Sequence, residues 1–296
     1  MKKILVPTDF SVFAQNALEV AADIALKTNA SILLLNANEK VVMATPMAEY
    51  YLYDKAIEEE YLDMVNESLK KTMAEIADNG KFARVKIDTT VIGGGMIGVI
   101  EEVVKEHAID LIVMGTRGVS GMEEFFIGSN TEKVIRRVDC PVLAIPASVE
   151  SFKKIVFPTT LKNDQIGAFS AFAGLQDIFD GEVVLLYLNN PSQLENDEAI
   201  EARKEELLKA SGLKNATLYI SSVDVFNEEE AILDFAHEQD ADLIVMATHQ
   251  RRGLAHMLLG SITEDTVNHS DIPVLSLSIN HQIKVKHYFV NANSEG

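Results

Sequence analysis

Glycines, a serine and an asparagine at fixed spacing make one segment of this chain resemble an anion cradle. Gly115-Thr-Arg-Gly118 is followed by nine residues and then by Gly128-Ser129-Asn130. Glycine lets backbone N–H groups approach a ligand closely and admits positive φ. Gly115 follows Leu111 to Met114, an apolar run that reads as a strand. Gly128-Ser129-Asn130 precedes Val134, Ile135 and Val138, which are apolar residues at helical spacing. A helix N-terminus there offers unpaired N–H groups and the positive end of the dipole, both favourable to phosphate. Arg117 can reach a phosphate and Ser129 can add a hydroxyl. A glycine turn, a serine N-cap and an exposed loop arginine explain the same residues without a ligand. Asp9 ends the apolar run Ile4 to Val6. A carboxylate there can accept from a ribose hydroxyl or hold a divalent cation such as magnesium. Capping the next helix is its plainer role.

These residues need a scaffold that brings strand ends together, and the chain carries it twice. Lys2-Lys-Ile-Leu-Val-Pro-Thr-Asp9 recurs as Lys153-Lys-Ile-Val-Phe-Pro-Thr-Thr160. Asp110-Leu-Ile-Val-Met114 recurs unchanged as Asp242 to Met246, and Pro141-Val-Leu143 as Pro273-Val-Leu275. The second copy is shorter, lacking a counterpart of Met43 to Leu62, a segment that includes Tyr50, Tyr51, Tyr53 and Tyr61. The connector Ala147-Ser-Val-Glu-Ser151 sets a boundary, with domains over 1–148 and 149–296. In the first copy, Ile4–Val6, Ser31–Leu35, Lys86–Val91, Leu111–Met114 and Val142–Ile145 read as strands. Val12–Leu26, Glu58–Asp78, Ile97–His107 and Thr131–Val138 read as helices. Strictly alternating strands and helices give an α/β fold with a doubly wound parallel sheet and right-handed crossovers. The second copy has Thr160, Ala247 and Gln250 where the first has Asp9, Gly115 and Gly118, although Gly260-Ser261 is retained.

Composition narrows the partners. The net charge of −19 is shared by both halves, which disfavours duplex nucleic acid and anionic membranes. No apolar stretch reaches the roughly 18 residues of a membrane span, and the short apolar start reads as a strand, not an export signal. The one cysteine, Cys140, rules out an intrachain disulfide and reads as a small buried hydrophobe beside Pro141. The expected location is cytoplasmic. Gly93-Gly-Gly95 reads as a flexible loop, and His249, His256 and His269 lack metal-site spacing. Ile283, Val285 and Phe289 suggest an extended apolar tail. There is no G-x-x-x-x-G-K-[ST] loop, no early G-x-G-x-x-G and no G-x-S-x-G elbow.

Together, Val6-Pro-Thr-Asp9, Asp110 to Gly118, Gly128-Ser129 and Cys140-Pro-Val-Leu-Ala-Ile-Pro146 resemble the universal stress protein family over nearly the whole chain, as two tandem domains. The resemblance implies two open five-stranded parallel sheets flanked by helices, an adenine nucleotide alpha hydrolase-like fold. It implies binding of ATP or another adenine nucleotide through G-x-x-G-x9-G-[ST]. Pro7, Thr8 and Asp9 would then face the ribose and Ala37 the adenine. Gly115, Gly118, Gly128, Ser129 and Asn130 would surround the phosphates, and Met114 and Arg117 would complete the nucleotide-binding set. It also implies that Val142–Ile145 and Val274–Leu277 pair within one chain as a pseudo-dimer, leaving association into a homodimer open. The resulting expectation is a nucleotide-binding stress-response or regulatory protein that uses mainly its first domain. The alternatives are a slow ATPase, for which no separate base is evident, and a nucleotide-independent scaffold built on the tyrosine segment and acidic surface.

Overall fold

The computed structural model describes residues 1–38, 48–116, 129–189, 194–221, 227–248 and 258–279. They form two compact units, Met1–Ser148 and Val149–Gly296.

The first unit runs β1 (Lys3–Pro7), α1 (Val12–Thr28), β2 (Ser31–Asn38), α2 (Ala48–Asp78), β3 (Lys86–Gly93), α3 (Met96–Glu106), β4 (Leu111–Gly115), α4 (Ser129–Arg137) and β5 (Val142–Ile145). Its strands lie in the order β3-β2-β1-β4-β5, and the paired strands are all parallel. Ile4, Leu5 and Val6 of β1 and Ile112 and Val113 of β4 have no exposed surface. Continuous burial fits strands covered on both faces, which is why these runs are apolar at every position. β3, at the edge, has no buried residue: every position is exposed or half-buried.

Helix α1 approaches the sheet through small residues. Ala14, Ala17, Ala21, Ala22 and Ala25 are buried along it, with Leu18 and Ile24 between them. Ser11 caps its start, accepting from the Ala14 N–H, and Asn29 ends it in the left-handed region at φ 54°. Two elements run further than their periodicity suggests. β2 continues through Asn36, Ala37 and Asn38, which pair in register with Val91, Ile92 and Gly93 of β3. α2 begins at Ala48, not near 58, because residues 48–57 contain no glycine or proline to stop it.

The second unit runs β6 (Lys154–Pro158), a 3-10 turn (Asn163–Gln165), α5 (Ile166–Ala173), α6 (Gln176–Phe179), β7 (Glu182–Leu188), α7 (Asp197–Ser211), β8 (Ala216–Ser221), α8 (Glu228–Glu238), β9 (Leu243–Thr248), α9 (Leu258–His269) and β10 (Val274–Ser278). Its parallel order, β8-β7-β6-β9-β10, repeats that of the first unit. The packing differs. Phe157 of β6 stands where β1 has Val6. It stacks on Phe169 with centroids 4.5 Å apart and meets Phe172 edge-on at 5.7 Å. Aromatic rings on α5 thus fill space that alanines on α1 leave for a closer helix.

The repeated aspartate has a structural task. Asp110 Oδ2 accepts from the backbone N–H groups of Lys2 (2.6 Å) and Lys3 (3.1 Å). Asp242 Oδ2 does the same for Lys153 (2.8 Å) and Lys154 (2.9 Å). Each carboxylate ties the amino end of its central strand, on the edge opposite the strands' carboxyl ends.

Candidate site at the carboxyl edge of the sheets

In a doubly wound sheet, ligands settle beyond the carboxyl ends where the strand order reverses. In the first unit that reversal lies between β1 and β4. The loop after β1 is fixed by its own side chains. The Thr8 N–H donates to Leu35 O at 2.8 Å. The Phe10 N–H donates to Thr8 Oγ1 at 3.0 Å, with Phe10 in the left-handed region at φ 63°. The Ser11 N–H donates to Asp9 Oδ1 at 3.0 Å. Asp9 therefore orders the cap of α1 without being the cap, and it is exposed at the edge beside half-buried Thr8 and buried Pro7.

On the other side, the Met114 side chain is buried in the core, so this residue offers its backbone to the edge. Gly115 is half-buried. A Cβ added there would lie 2.7 Å from the carbonyl carbon and oxygen of Phe13 on α1. Packing alone thus requires this glycine, whatever ligand it also serves. The Thr131 hydroxyl donates to Gly115 O at 3.3 Å, which docks the first turn of α4 on the end of β4. Ser129 opens α4, followed by exposed Asn130. Arg117, Gly118 and Gly128 lie outside the described residues. Ala37 is half-buried near the end of β2, paired with Ile92. Gly94 adopts φ 143° and Gly95 caps α3, so the glycine cluster makes the turn after β3.

Asn36 was not singled out from the sequence. It is 5% exposed, and its Nδ2 donates to Thr8 O at 2.9 Å across the ends of β2 and β1. Its Oδ1 and the Thr116 hydroxyl are buried with no partner among the described residues. The available signal was a polar residue directly after four apolar ones, Ile32 to Leu35.

The second unit keeps the loop and changes its contents. Leu161 repeats the left-handed conformation at φ 51°, its N–H donating to Thr159 Oγ1 at 2.9 Å. Buried Gln165 then supplies the acceptor: its Oε1 takes the Thr159 hydroxyl at 2.7 Å and the Thr160 N–H at 3.1 Å. At the end of β7, the Tyr187 hydroxyl donates to Glu195 Oε1 at 2.6 Å, and Arg203 bridges to Glu195 Oε2 at 2.9 Å. The hydrogen bond from Tyr187, then that from Arg203, holds the Glu195 carboxyl below its ordinary range. Burial first, and the Glu195 contact second, raise the Tyr187 phenol. Ala247 is half-buried at the end of β9, and Gly260 and Ser261 lie within α9. His249, Gln250, His256 and the 283–289 tail fall outside the described residues. His269 Nδ1 contacts Glu229, and no group of three metal-binding side chains occurs among the described residues. Cys140 is buried, which pushes its thiol up to about 12.

Comparison with known proteins follows the same two-unit division. The model of the universal stress protein family matches residues 1–146 and again 151–277. The universal stress protein Slr1230 of Synechocystis is 24% identical over 292 residues, covering 93% of this chain and 99% of that protein. The universal stress protein YxiE of Bacillus subtilis is 30% identical over 147 residues, covering 48% of this chain and 97% of its own. Among solved structures, a universal stress protein from Archaeoglobus fulgidus superposes with a TM-score of 0.66 at 20% identity, covering 94% of this chain and 98% of that one.

Proposed function

The chain belongs to the universal stress protein family, and from that premise we propose that its first unit binds an adenine nucleotide (ATP, ADP or AMP) as a regulatory ligand. The observation that carries this reading is the hydrogen bond from the Thr131 hydroxyl to Gly115 O at 3.3 Å. It brings the first turn of α4 to the end of β4, beside the reversal of strand order. A phosphate there would meet the N–H groups of the helix start and the backbone at the end of β4. In this reading Asp9 and Thr8 face the ribose, and Ala37 lies by the base. Met114 and Gly115 border the phosphates with Arg117, Gly118, Gly128, Ser129 and Asn130. A magnesium ion would be held by the nucleotide phosphates and by Asp9, since hard oxygen donors suit it.

The second unit is assigned a supporting role. Gln165 occupies the acceptor position at its first loop, and Thr160 brings no charge. Pairing of β5 with β10, which the family resemblance implies, belongs to the same proposal. It predicts that residues 1–148 expressed alone self-associate through β5, whose edge the full chain would cover internally. The deciding experiment is to purify the chain without added nucleotide, denature it and identify what is released by mass spectrometry, followed by titration of the stripped protein. About one adenine nucleotide per chain supports the reading. Two per chain would show that the second unit binds as well. None released, and no binding at millimolar ATP, would defeat it.

A further inference from the structure

One carboxylate of the second unit is held by the kinds of group that bind an anionic ligand. Glu195 lies on the connection between β7 and α7, outside both elements. Its Oε1 accepts from the Tyr187 hydroxyl at 2.6 Å, and its Oε2 pairs with Arg203 Nη2 at 2.9 Å. Arg203 Nη2 also donates to the Tyr187 oxygen at 3.4 Å, and the guanidinium lies 5.6 Å from the centre of the Tyr187 ring. The positive charge of Lys162, just before the 3-10 turn, acts on the same carboxyl. Phenol, guanidinium and ammonium thus converge on one anion.

The anion is delivered by its backbone. Asn189, 3% exposed, accepts from the Glu195 N–H at 3.1 Å through Oδ1 and donates to Glu195 O at 3.0 Å through Nδ2. An amide that pins both backbone groups of one residue fixes where its side chain begins. Exposed ion pairs between two free side chains gain little. Here the donors belong to regular elements, Tyr187 to β7 and Arg203 to α7, and only the occupant comes from a connection. The place is open to small molecules, since the Glu195 side chain is 41% exposed and that of Arg203 33%. Pro7 pairs with Leu35 and Pro158 with Leu186, so the first unit has Asn36 where the second has Tyr187. The Asn36 amide is spent inside the fold, donating to Thr8 O at 2.9 Å. The arrangement is therefore peculiar to the second unit.

We propose that the end of β7 is a carboxylate-binding site which the chain fills with its own Glu195, a tethered ligand that keeps external carboxylates out. The chemistry suits a planar anion with two oxygens, one taking the phenol and the other the guanidinium. The site is independent of nucleotide binding by the first unit.

The test is chemical rescue in the full chain. Unfolding midpoints are measured at neutral pH in sodium acetate and in sodium chloride of equal ionic strength, for the wild type, Glu195→Ala and the double variant Glu195→Ala/Arg203→Leu. The wild type should give midpoints within about 1 °C of each other in the two salts, because its site is filled. In Glu195→Ala, acetate at about 100 mM, bound with a dissociation constant of about 10 mM, should raise the midpoint by about 3–6 °C over chloride. The double variant should lose that rise. Inorganic phosphate, tetrahedral and larger, should give less than acetate. No acetate-dependent rise in Glu195→Ala, or the same rise in the double variant, would overturn the site; a larger rise with phosphate would overturn its assignment to carboxylates. An equal rise in the wild type would overturn the tethered occupancy. If Glu195→Ala does not fold, Glu195→Ser, which also lacks the carboxylate, is the second arm: it must show the acetate-dependent rise, and its failure to do so overturns the proposal.

Discussion

Gly115→Ala should destabilise the first unit in the complete absence of nucleotide. The added Cβ would lie 2.7 Å from the carbonyl carbon and oxygen of Phe13 and 2.9 Å from its Cβ. That is about 0.7 Å short of the 3.4 Å at which ordinary contact begins. The opposing atoms are mostly backbone, so no side-chain rotation relieves the clash. Either α1 retreats from the sheet or β4 shifts beneath it. Retreat loosens Ala14, Ala17 and Leu18, all buried against the sheet. A shift of β4 strains the Thr131 contact with Gly115 O. Overpacking of this kind costs about 1–3 kcal/mol. For a unit of this size each kcal/mol lowers the unfolding midpoint by roughly 2–4 °C. A drop of about 2–12 °C is therefore expected, read by circular dichroism on stripped protein, with urea titration as a second measure. Gly98→Ala is the control. It lies on α3 with nothing within 4 Å of the new Cβ, so it should be neutral or stabilise by up to about 1 kcal/mol. A Gly115→Ala protein as stable as the wild type without ligand would refute the packing argument and leave the glycine to the ligand alone.

The paired carboxylates at the amino edges predict a matched effect. Asp110→Ala and Asp242→Ala should each cost about 1–3 kcal/mol by leaving two strand-end N–H groups without their carboxylate, and an equilibrium denaturation series in which only one of them matters would contradict the equivalence. The Cys140 thiol, raised to about 12 by burial, should resist a thiol reagent in the native protein at pH 8 and react fully once unfolded; rapid native labelling would show that it is open to solvent. Tyr187→Phe removes the largest cause of the lowered Glu195 pKa. A carboxylate with a depressed folded pKa contributes stability that is present above its ordinary value of 4.5 and lost as pH falls through the lower folded value. The stability gap between wild type and Tyr187→Phe should hold from pH 7 down to about 4.5 and narrow below it. A gap independent of pH across that range would show that Glu195 does not sense the phenol.

The strands were legible because burial on both faces demands unbroken apolar runs, and Pro7 and Pro158 mark the ends of the two central ones. The repeat made the second unit legible from the first. What escaped depended on residues far apart in sequence. Asp110 reads as the start of a strand, but its task is set by Lys2 and Lys3, on a strand paired with its own. Gly115 reads as a ligand glycine because the motif is local, whereas its steric requirement comes from Phe13. Asn36 reads as the end of a strand, and only the position of Thr8 O shows which half of its amide is open. The length of α2 was missed for a local reason: periodicity weakens over residues 48–57, but nothing there breaks a helix.

The packing around Gly115 changes what its loss in the second unit means. In the first unit a small-residue helix lies close to the sheet, and glycine is needed on the strand beneath. In the second, Phe169 and Phe172 occupy α5, and a 3-10 turn over 163–165 replaces the first turn of the helix. The tight approach has moved: a Cβ on Gly167 of α5 would lie 2.1 Å from Ile279 O, just past β10. Ala247 therefore follows from a rearranged helix, and by itself says nothing about a lost ligand. The differences that do bear on binding are polar. Gln165 satisfies the Thr159 hydroxyl and Thr160 N–H from within the protein, and Glu195 does the same for Tyr187. Restoring glycine at position 247 should thus leave the second unit without nucleotide affinity, because its edge groups remain satisfied. Adding Gln165→Ala would free two of them, so any gain of binding should appear only in the double variant. Binding by Ala247→Gly alone would show that the glycine, not the internal polar contacts, separates the two units.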